Sequence, residues 1–273
     1  MEKIDDIKFS IIVVCLNPGN LLKETIDSIA GQSYGNFEVI VKDGLSKDGS
    51  VEKLINENPL GDRLRIFEKP DKSIYNAMNQ AVEFATGDFL YFLNCGDLFY
   101  DSDALLNVAN AIKNYGKKEN VIYYGDIYEL LRNIRVTSNP KLDGFGVYRN
   151  VPCHQTCFYS RDLFALRAYN PKYRVRADYE HFLYCFYEKK ARTIYTGTVI
   201  ASYQGGGFSE TPENIKRSKE EHKEITGMYM SESEIRKYKA ILLFTLAPLR
   251  TKMAESKAFS GLYQGVKKLI YKG

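Results

Sequence analysis

Two short stretches of this 273-residue chain combine carboxylates with glycines in the way a phosphate-bearing ligand requires. Asp43-Gly44-Leu45-Ser46-Lys47-Asp48-Gly49-Ser50 sets an acid at the end of an apolar run and follows it with glycine-rich backbone and a helix start. An acid so placed accepts hydrogen bonds from base N–H or ribose hydroxyl groups, and a helix N-terminus suits phosphate. Asp and Gly in this order also make plain turns and caps. The second stretch, Asn94-Cys95-Gly96-Asp97, follows apolar Phe89–Leu93. A carboxylate beside Gly can approach a hard cation, Mn2+ or Mg2+, that bridges two phosphates, with phosphate oxygens and water completing its shell. Standing alone, this stretch is a turn at least as often as a metal site.

Other polar groups gather at comparable places. Asn17 follows the first apolar run, and Asp71-Lys72-Ser73 precedes a helix whose Asn76 and Asn79 lie off its apolar face. Capping alone would explain Asp71 or Ser73. Gly205-Gly206-Gly207-Phe208-Ser209 is either a plain flexible loop or a lid whose backbone N–H groups close on a diphosphate.

The elements that must position these groups alternate. Phe9–Leu16 reads as a strand buried on both faces, Phe37–Lys42 as a second, Leu64–Phe67 as a third and Phe89–Leu93 as a fourth. Helical spacing links them: Leu22, Ile26, Ile29 and Ala30 after an Asn20 cap and ending at Gly31, then Val51, Leu54 and Ile55, then residues 73–85. Such alternation predicts an α/β fold, a Rossmann-like, mostly parallel sheet flanked by helices, with ligands at the carboxyl ends of the strands. Further along, Val121–Leu131 reads as a strand with Gly125-Asp126 inside it and Ile134–Thr137 as its hairpin partner. Residues 162–169, 178–189 and 212–226 read as helical, and 193–203 as extended.

Taken together, EKPDKSIYNAMNQAVEFATGDFLYFLNCGD and the upstream KDGLSKDGS resemble the family 2 glycosyltransferases of the GT-A fold, most closely the branch acting in bacterial surface-polysaccharide assembly. The likeness is strong over 9–100 and looser over 153–209, through CHQTCFYSRDLF, RADYEHF and YQGGGFS. It implies a nucleotide-sugar donor, UDP-linked first and GDP-linked second, and a glycan or lipid-linked acceptor. The donor set it implies is Asn17, Asp43 (on the base), Asp71, Lys72, Asn76, Asn94, Gly207 and Ser209. Asp97 would hold the metal, and Asp178 in Arg176-Ala177-Asp178-Tyr179-Glu180 would be the base, with Glu180 in reserve. Direct displacement at the anomeric carbon with inversion follows, Asp178 taking the acceptor proton. Without the resemblance, Asp178 reads equally as a helix N-terminal acid. One departure stands out: where the family commonly has Asp-x-Asp, this chain has Asn94 or Cys95, leaving Asp97 as the sole carboxylate. His154 could supply a second ligand, or contact the acceptor.

The expected organisation is a nucleotide-sugar-binding half at 1–100, an acceptor-binding and catalytic half at 101–211, and a helical, basic C-terminal tail at 212–273. Two other readings compete: a sugar nucleotidyltransferase, which would want Lys or Arg in the loop after the first strand, and a non-catalytic nucleotide- or carbohydrate-binding module. Nucleic acid is not an expected partner, because the basic residues collect in the tail. The five cysteines (15, 95, 153, 157, 185) suit reduced thiols, the start MEKIDDIKFS lacks a signal-peptide pattern, and AILLFTLAPL at 240–249 is too short to span a bilayer. A cytoplasmic protein is expected. Residues 236–273 carry nine Lys or Arg against Glu255. Such a tail is either a packed terminal helix or a peripheral contact with the anionic inner face of the membrane. If it is the latter, deleting 236–273 moves the protein from membrane to soluble fractions; unchanged fractionation excludes the contact.

Overall fold

Strand β1 (Phe9–Cys15) is buried along its whole length, as its unbroken β-branched and aromatic run demands. It pairs in parallel with β2 (Phe37–Asp43) on one side and β4 (Phe89–Phe92) on the other, and β2 pairs in parallel with β3 (Leu64–Glu68). In this computed structural model, which describes residues 7–205 and 211–245, helix α1 (Asn20–Ala30) connects β1 to β2, α2 (Ser50–Glu57) leads to β3 and α3 (Ile74–Val82) to β4. The mixed remainder comprises β5 (Leu98–Phe99), α4 (Ala104–Tyr115), β6 (Val121–Glu129), β7 (Ile134–Val136), α5 (Gly144–Arg149), β8 (Cys157–Ser160), α6 (Arg161–Leu166), α7 (Ala177–Leu183), β9 (Arg192–Tyr203), α8 (Pro212–Tyr229) and α9 (Glu232–Phe244).

The described strands form one sheet in the order β3-β2-β1-β4-β8-β6-β9-β5, with β7 on β6. β8 runs antiparallel between β4 and β6, so β6 and β9 regain the direction of β1. Helices cover both faces. Phe9, Ile11, Val13, Val39 and Val41 join Leu22, Ile26, Val51, Leu54 and Leu105 in one core, while α3 packs on the opposite face of β1 and β2. The chain divides into two compact units, 1–223 and 224–273, with the boundary inside α8. The described part of the second unit is the end of α8 plus α9, whose start carries a Ser231–Glu234 capping box. Residues 246–273 of the predicted tail lie outside the described residues.

Local expectations held unevenly. Asn20 does not cap α1: Gly19 stands at the N-cap with φ 58°, and its N–H donates to Asp48 Oδ2 at 2.7 Å instead. The stretch expected as one helix at 178–189 is α-helical to Leu183 and continues as a π-helical turn over Tyr184–Glu188. The helices expected at 73–85 and 162–169 stop earlier, at Val82 and Leu166. β6 has irregular register where Gly125 and Asp126 face β9, because a Cβ on Gly125 would sit 2.5 Å from the Thr198 carbonyl oxygen.

A polar clamp fixes the amino end of this sheet. Glu38, 7% exposed in β2, accepts from Ser10 Oγ (2.6 Å), Thr86 N (2.6 Å) and Arg65 (2.7 Å). Burial pushes its carboxyl up, but these Ser10, Thr86 and Arg65 partners outweigh that and hold it below the usual glutamate range. Gly87 is thereby pressed onto β1: its N–H donates to Ser10 Oγ, and a Cβ there would lie 2.7 Å from the Ser10 nitrogen. Since backbone cannot yield as a side-chain tip can, Gly87→Ala is expected to destabilise the protein by about 1–3 kcal/mol. Thermal unfolding should show a midpoint lower by roughly 3–10 °C; an unchanged midpoint would mean that the turn relaxes freely.

Candidate active site

The loops after β1 and β2 are tied into one unit. Gly44 N donates to Cys15 O (2.8 Å), Asn17 N to Ser46 Oγ (2.7 Å), and Lys47 N to Asn17 Oδ1 (2.8 Å). Asn17 holds a left-handed φ of 48°, which an Asx side chain tolerates. Asp43 is 1% exposed, and its carboxylate accepts from Ser46 N at 2.8 Å and from the Ser46 hydroxyl. The acid expected to meet a base is thus braced by its own loop. Cys15 Sγ lies 3.5 Å from Asp43 Oδ1. Its hydrogen bond with Cys95, then burial, push this thiol far up, so it stays protonated. All five cysteines are free.

Asp71 sits over Gly44, where a Cβ would lie 3.0 Å from Asp71 Oδ2, and is ion-paired with Lys42. Lys72 is exposed; its backbone N–H donates to Asn76 Oδ1 at 3.1 Å, and Ser73 caps α3. Asn76 therefore braces the turn, whereas Asn79 exchanges hydrogen bonds with the Tyr169 backbone at 2.8 and 2.9 Å. Gly207 and Ser209 lie outside the described residues.

Beyond β4 a second cluster forms. Gly96 (φ 94°) turns the chain, so that Asp97 N reaches Asn94 O at 3.0 Å while Thr25 on α1 bonds both Gly96 N and Asp97 O. Gln155 Nε2 donates to Asp97 Oδ2 at 2.9 Å. Asn94 Nδ2 lies 3.0 Å from His154 Nε2, and His154 Nδ1 lies 3.6 Å from Asp178 Oδ2. Asp178 Oδ1 accepts from Tyr75 Oη (2.9 Å) and Tyr179 N (2.8 Å). Glu221 on α8 fixes the approach to α7 by accepting from the backbone N–H groups of Arg174, Val175 and Arg176 at 2.9, 3.0 and 2.8 Å. Glu180, the reserve base candidate, is wholly buried and ion-paired with Arg167.

The two carboxyls are driven apart. Burial pushes Asp97 up, and Gln155 and His154 offset this only in part. Burial also acts upward on Asp178, but the hydrogen bond and charge of His154, with Tyr179 N–H and Tyr75 Oη, outweigh it and hold the group below the ordinary aspartate range. An acid easy to ionise and one reluctant to ionise, joined in one cluster, are a common sign of acid–base or charge-stabilising work.

The donors also fit a hard cation. Asn94 Oδ1 is buried without a hydrogen-bond partner, and Asp97 is a half-buried carboxylate whose charge a cation would neutralise. Among the described residues no group of three His, Cys, Asp or Glu could hold a metal by itself. The fit is therefore to a one-carboxylate site completed by phosphate oxygens. His154, a suggested second ligand, has both ring nitrogens turned to Asn94 and Asp178.

An α/β sheet with polar, glycine-containing loops gathered at its carboxyl edge and two carboxylates beside them is the architecture of a ligand-binding enzyme. Residues 10–169 match the family model described as glycosyl transferase family 2, and the chain belongs to that family. A PGL/p-HBAD biosynthesis glycosyltransferase of Mycobacterium tuberculosis is 39% identical over 207 residues, covering 74% of this chain and 79% of the relative. Among solved structures, residues 1–349 of Staphylococcus aureus TarS in complex with UDP-GlcNAc align with a TM-score of 0.63 at 19% identity, covering 86% of this chain and 71% of that one. This chain spans 43% of the longer TarS chain. A mannosyltransferase from Pyrobaculum calidifontis in complex with GDP-Man and Mn2+ aligns with a TM-score of 0.55 at 17% identity, covering 94% and 83%. These likenesses establish the GT-A fold expected from the sequence.

Sequence reading missed Lys42, Tyr75, Gln155 and Glu221. A charge ending an apolar strand was the available signal for Lys42; Glu221 carries none, since its partners lie about fifty residues away. The raised Asp97 generates a stability test. An aspartate whose folded pKa exceeds its unfolded value, near 4, withdraws stability as pH rises through that range. Asp97→Asn is therefore expected to raise the thermal midpoint at pH 7, and to leave it nearly unchanged near pH 3. A lower midpoint at pH 7 would mean that the ionised carboxylate is well accommodated.

Proposed function

We propose that this glycosyltransferase inverts configuration, transferring a sugar from a nucleotide-sugar, UDP-linked by preference, to a hydroxyl of a glycan or lipid-linked acceptor. The observation that carries the reading is the cluster itself: Asp178 held by Tyr75 Oη at 2.9 Å and faced by His154, whose other ring nitrogen meets Asn94 in the turn that carries Asp97. Asp178 stays ionised and takes the acceptor proton as its oxygen bonds to the anomeric carbon and the bond to the nucleoside diphosphate breaks. His154 and Tyr75 hold the Asp178 carboxylate in place, and Glu221 holds the backbone leading to it. Asp97, with Asn94 Oδ1, would hold Mn2+ or Mg2+, which supplies neutralisation of the leaving diphosphate. Asn17, Asp43, Asp71, Lys72 and Asn76 line the donor side.

On this reading residues 1–100 serve the donor and 101–211 the acceptor and base. The 212–273 extension begins with an α8 that already braces the catalytic half through Glu221. UDP is favoured by the fold shared with TarS, which binds UDP-GlcNAc; the GDP-Man complex of the archaeal mannosyltransferase keeps GDP as the second reading. The mycobacterial relative's name favours a glycolipid-type acceptor over a free sugar. Among the described residues no helix is long and apolar enough to cross a membrane. We place the protein in the cytoplasm, with the basic tail at the inner face of the membrane.

Calorimetric titration with UDP and GDP, each with and without Mn2+, tests the donor site. Binding of one nucleotide, strengthened by Mn2+ and lost in Asp97→Ala, is expected. Asp178→Asn should bind that nucleotide normally while transfer falls by about 10²–10⁴-fold. Full transfer by Asp178→Asn would assign the base elsewhere, and no nucleotide binding would favour a non-catalytic module.

A further inference from the structure

Lys42 occupies a position where stability does not call for a charge. It lies in β2, which has strands hydrogen-bonded on both sides, opposite Val14 on β1 and Phe67 on β3, and is 1% exposed. A parallel strand covered on both faces is ordinarily apolar to its end. Burying an ammonium costs several kcal/mol, which an ion pair returns only in part; apolar replacement of such pairs is often neutral. The described partner of this ammonium is Asp71, and the two are not equivalent: the lysine side chain is 1% exposed and the aspartate 16%. The open member is Asp71, whose Oδ2 stands where a Cβ on Gly44 would come within 3.0 Å, just past the carboxyl end of β2. A hidden cation thus anchors a partly open carboxylate across a gap that glycine keeps clear.

We propose that Lys42 is a positioning residue for nucleotide recognition. It fixes the Asp71 carboxylate over Gly44, where Asp71 accepts a hydrogen bond from the donor's nucleoside, either the base imide N–H or a ribose hydroxyl. This rests on the donor-site reading above. Lys42 itself is too deeply buried to touch the ligand; it acts by denying Asp71 other rotamers beside Gly44. Ground-state and transition-state binding should suffer alike, because the nucleoside is remote from the reacting bonds.

The test is UDP titration and steady-state kinetics on the full chain with Lys42→Met, Lys42→Arg, Asp71→Asn and the Lys42→Met/Asp71→Asn double variant. Lys42→Met and Asp71→Asn are each expected to weaken UDP binding about tenfold and raise KM alike, with kcat within about twofold. The double variant should bind no more weakly than Asp71→Asn, since both substitutions break one contact. Lys42→Arg should recover most of the loss, which a purely packing role would not allow. Repeating the titration with 2′-deoxy-UDP and with 3′-deoxy-UDP locates the contact: an Asp71→Asn effect that vanishes with either analogue assigns it to that ribose hydroxyl, and one that persists with both assigns it to the base. Where Lys42→Met does not fold, the charge-neutral double variant carries the test, and wild-type affinity in it overturns the proposal. Wild-type binding of UDP with affinity and KM unchanged in Lys42→Met overturns this inference alone. A wild-type chain that binds neither UDP nor GDP overturns the donor-site reading, and this inference with it.

Discussion

Hydrogen bonding of β1 to two parallel neighbours places Cys15 opposite Asp43 and aligns Ile12 with Phe92. Because the three strands point the same way, the loops that follow them leave from one edge, and polar groups up to eighty residues apart in the chain are carried there. A slip of one residue would turn every side chain of a strand to the other face. Lys42 would then exchange faces with Asp43, and the carboxylate over Gly44 would lose its cation. The buried, interlocking residues Ile11, Val13, Val39 and Val41 set a high cost on such a slip, so the apolar core enforces the polar geometry at its edge.

That edge is built by tying loops to one another more than to the sheet. Asn17, Ser46, Lys47, Gly19 and Asp48 cross-link the first two loops, and Thr25 on α1 reaches the Asp97 turn. The Asp178 cluster uses longer reach: Tyr75 of α3 and His154 meet Asp178, while Glu221 draws in three successive N–H groups ahead of α7. Asp97 is the member held against its own preference, half-buried with Gln155 as its hydrogen-bond donor.

Much of the first hundred residues was legible because short-range signals and tertiary demand agree there. Unbroken apolar runs of strand length, separated by helical spacing, leave few arrangements besides a parallel sheet. Legibility failed where a distant partner overrode a local preference. Asn20 has the chemistry of a cap, but the Gly19 N–H is drawn to Asp48 on another loop. The helix from Ala177 widens into a π turn at Tyr184, where His181, Phe164 and Tyr159 crowd one another in the core. β8, four residues long, carries no pattern that distinguishes it from a loop, and only its neighbours β4 and β6 make it a strand.

The candidate site divides in the same way. By itself the sequence determined the candidate acids, Asp43, Asp71, Asp97 and Asp178, and that the first three stand at or just past strand ends, because turn chemistry and hydrophobic period are properties of neighbouring residues. It also determined the family, through motifs that are contiguous in the chain. Only the tertiary structure decided that His154 faces Asp178 and Asn94, that Glu180 is spent on Arg167, that Asp97 and Asp178 are pushed in opposite directions, and that Lys42 stands behind Asp71. Burial and charge proximity are sums over groups brought together from across the chain, and no local reading of residue types contains them.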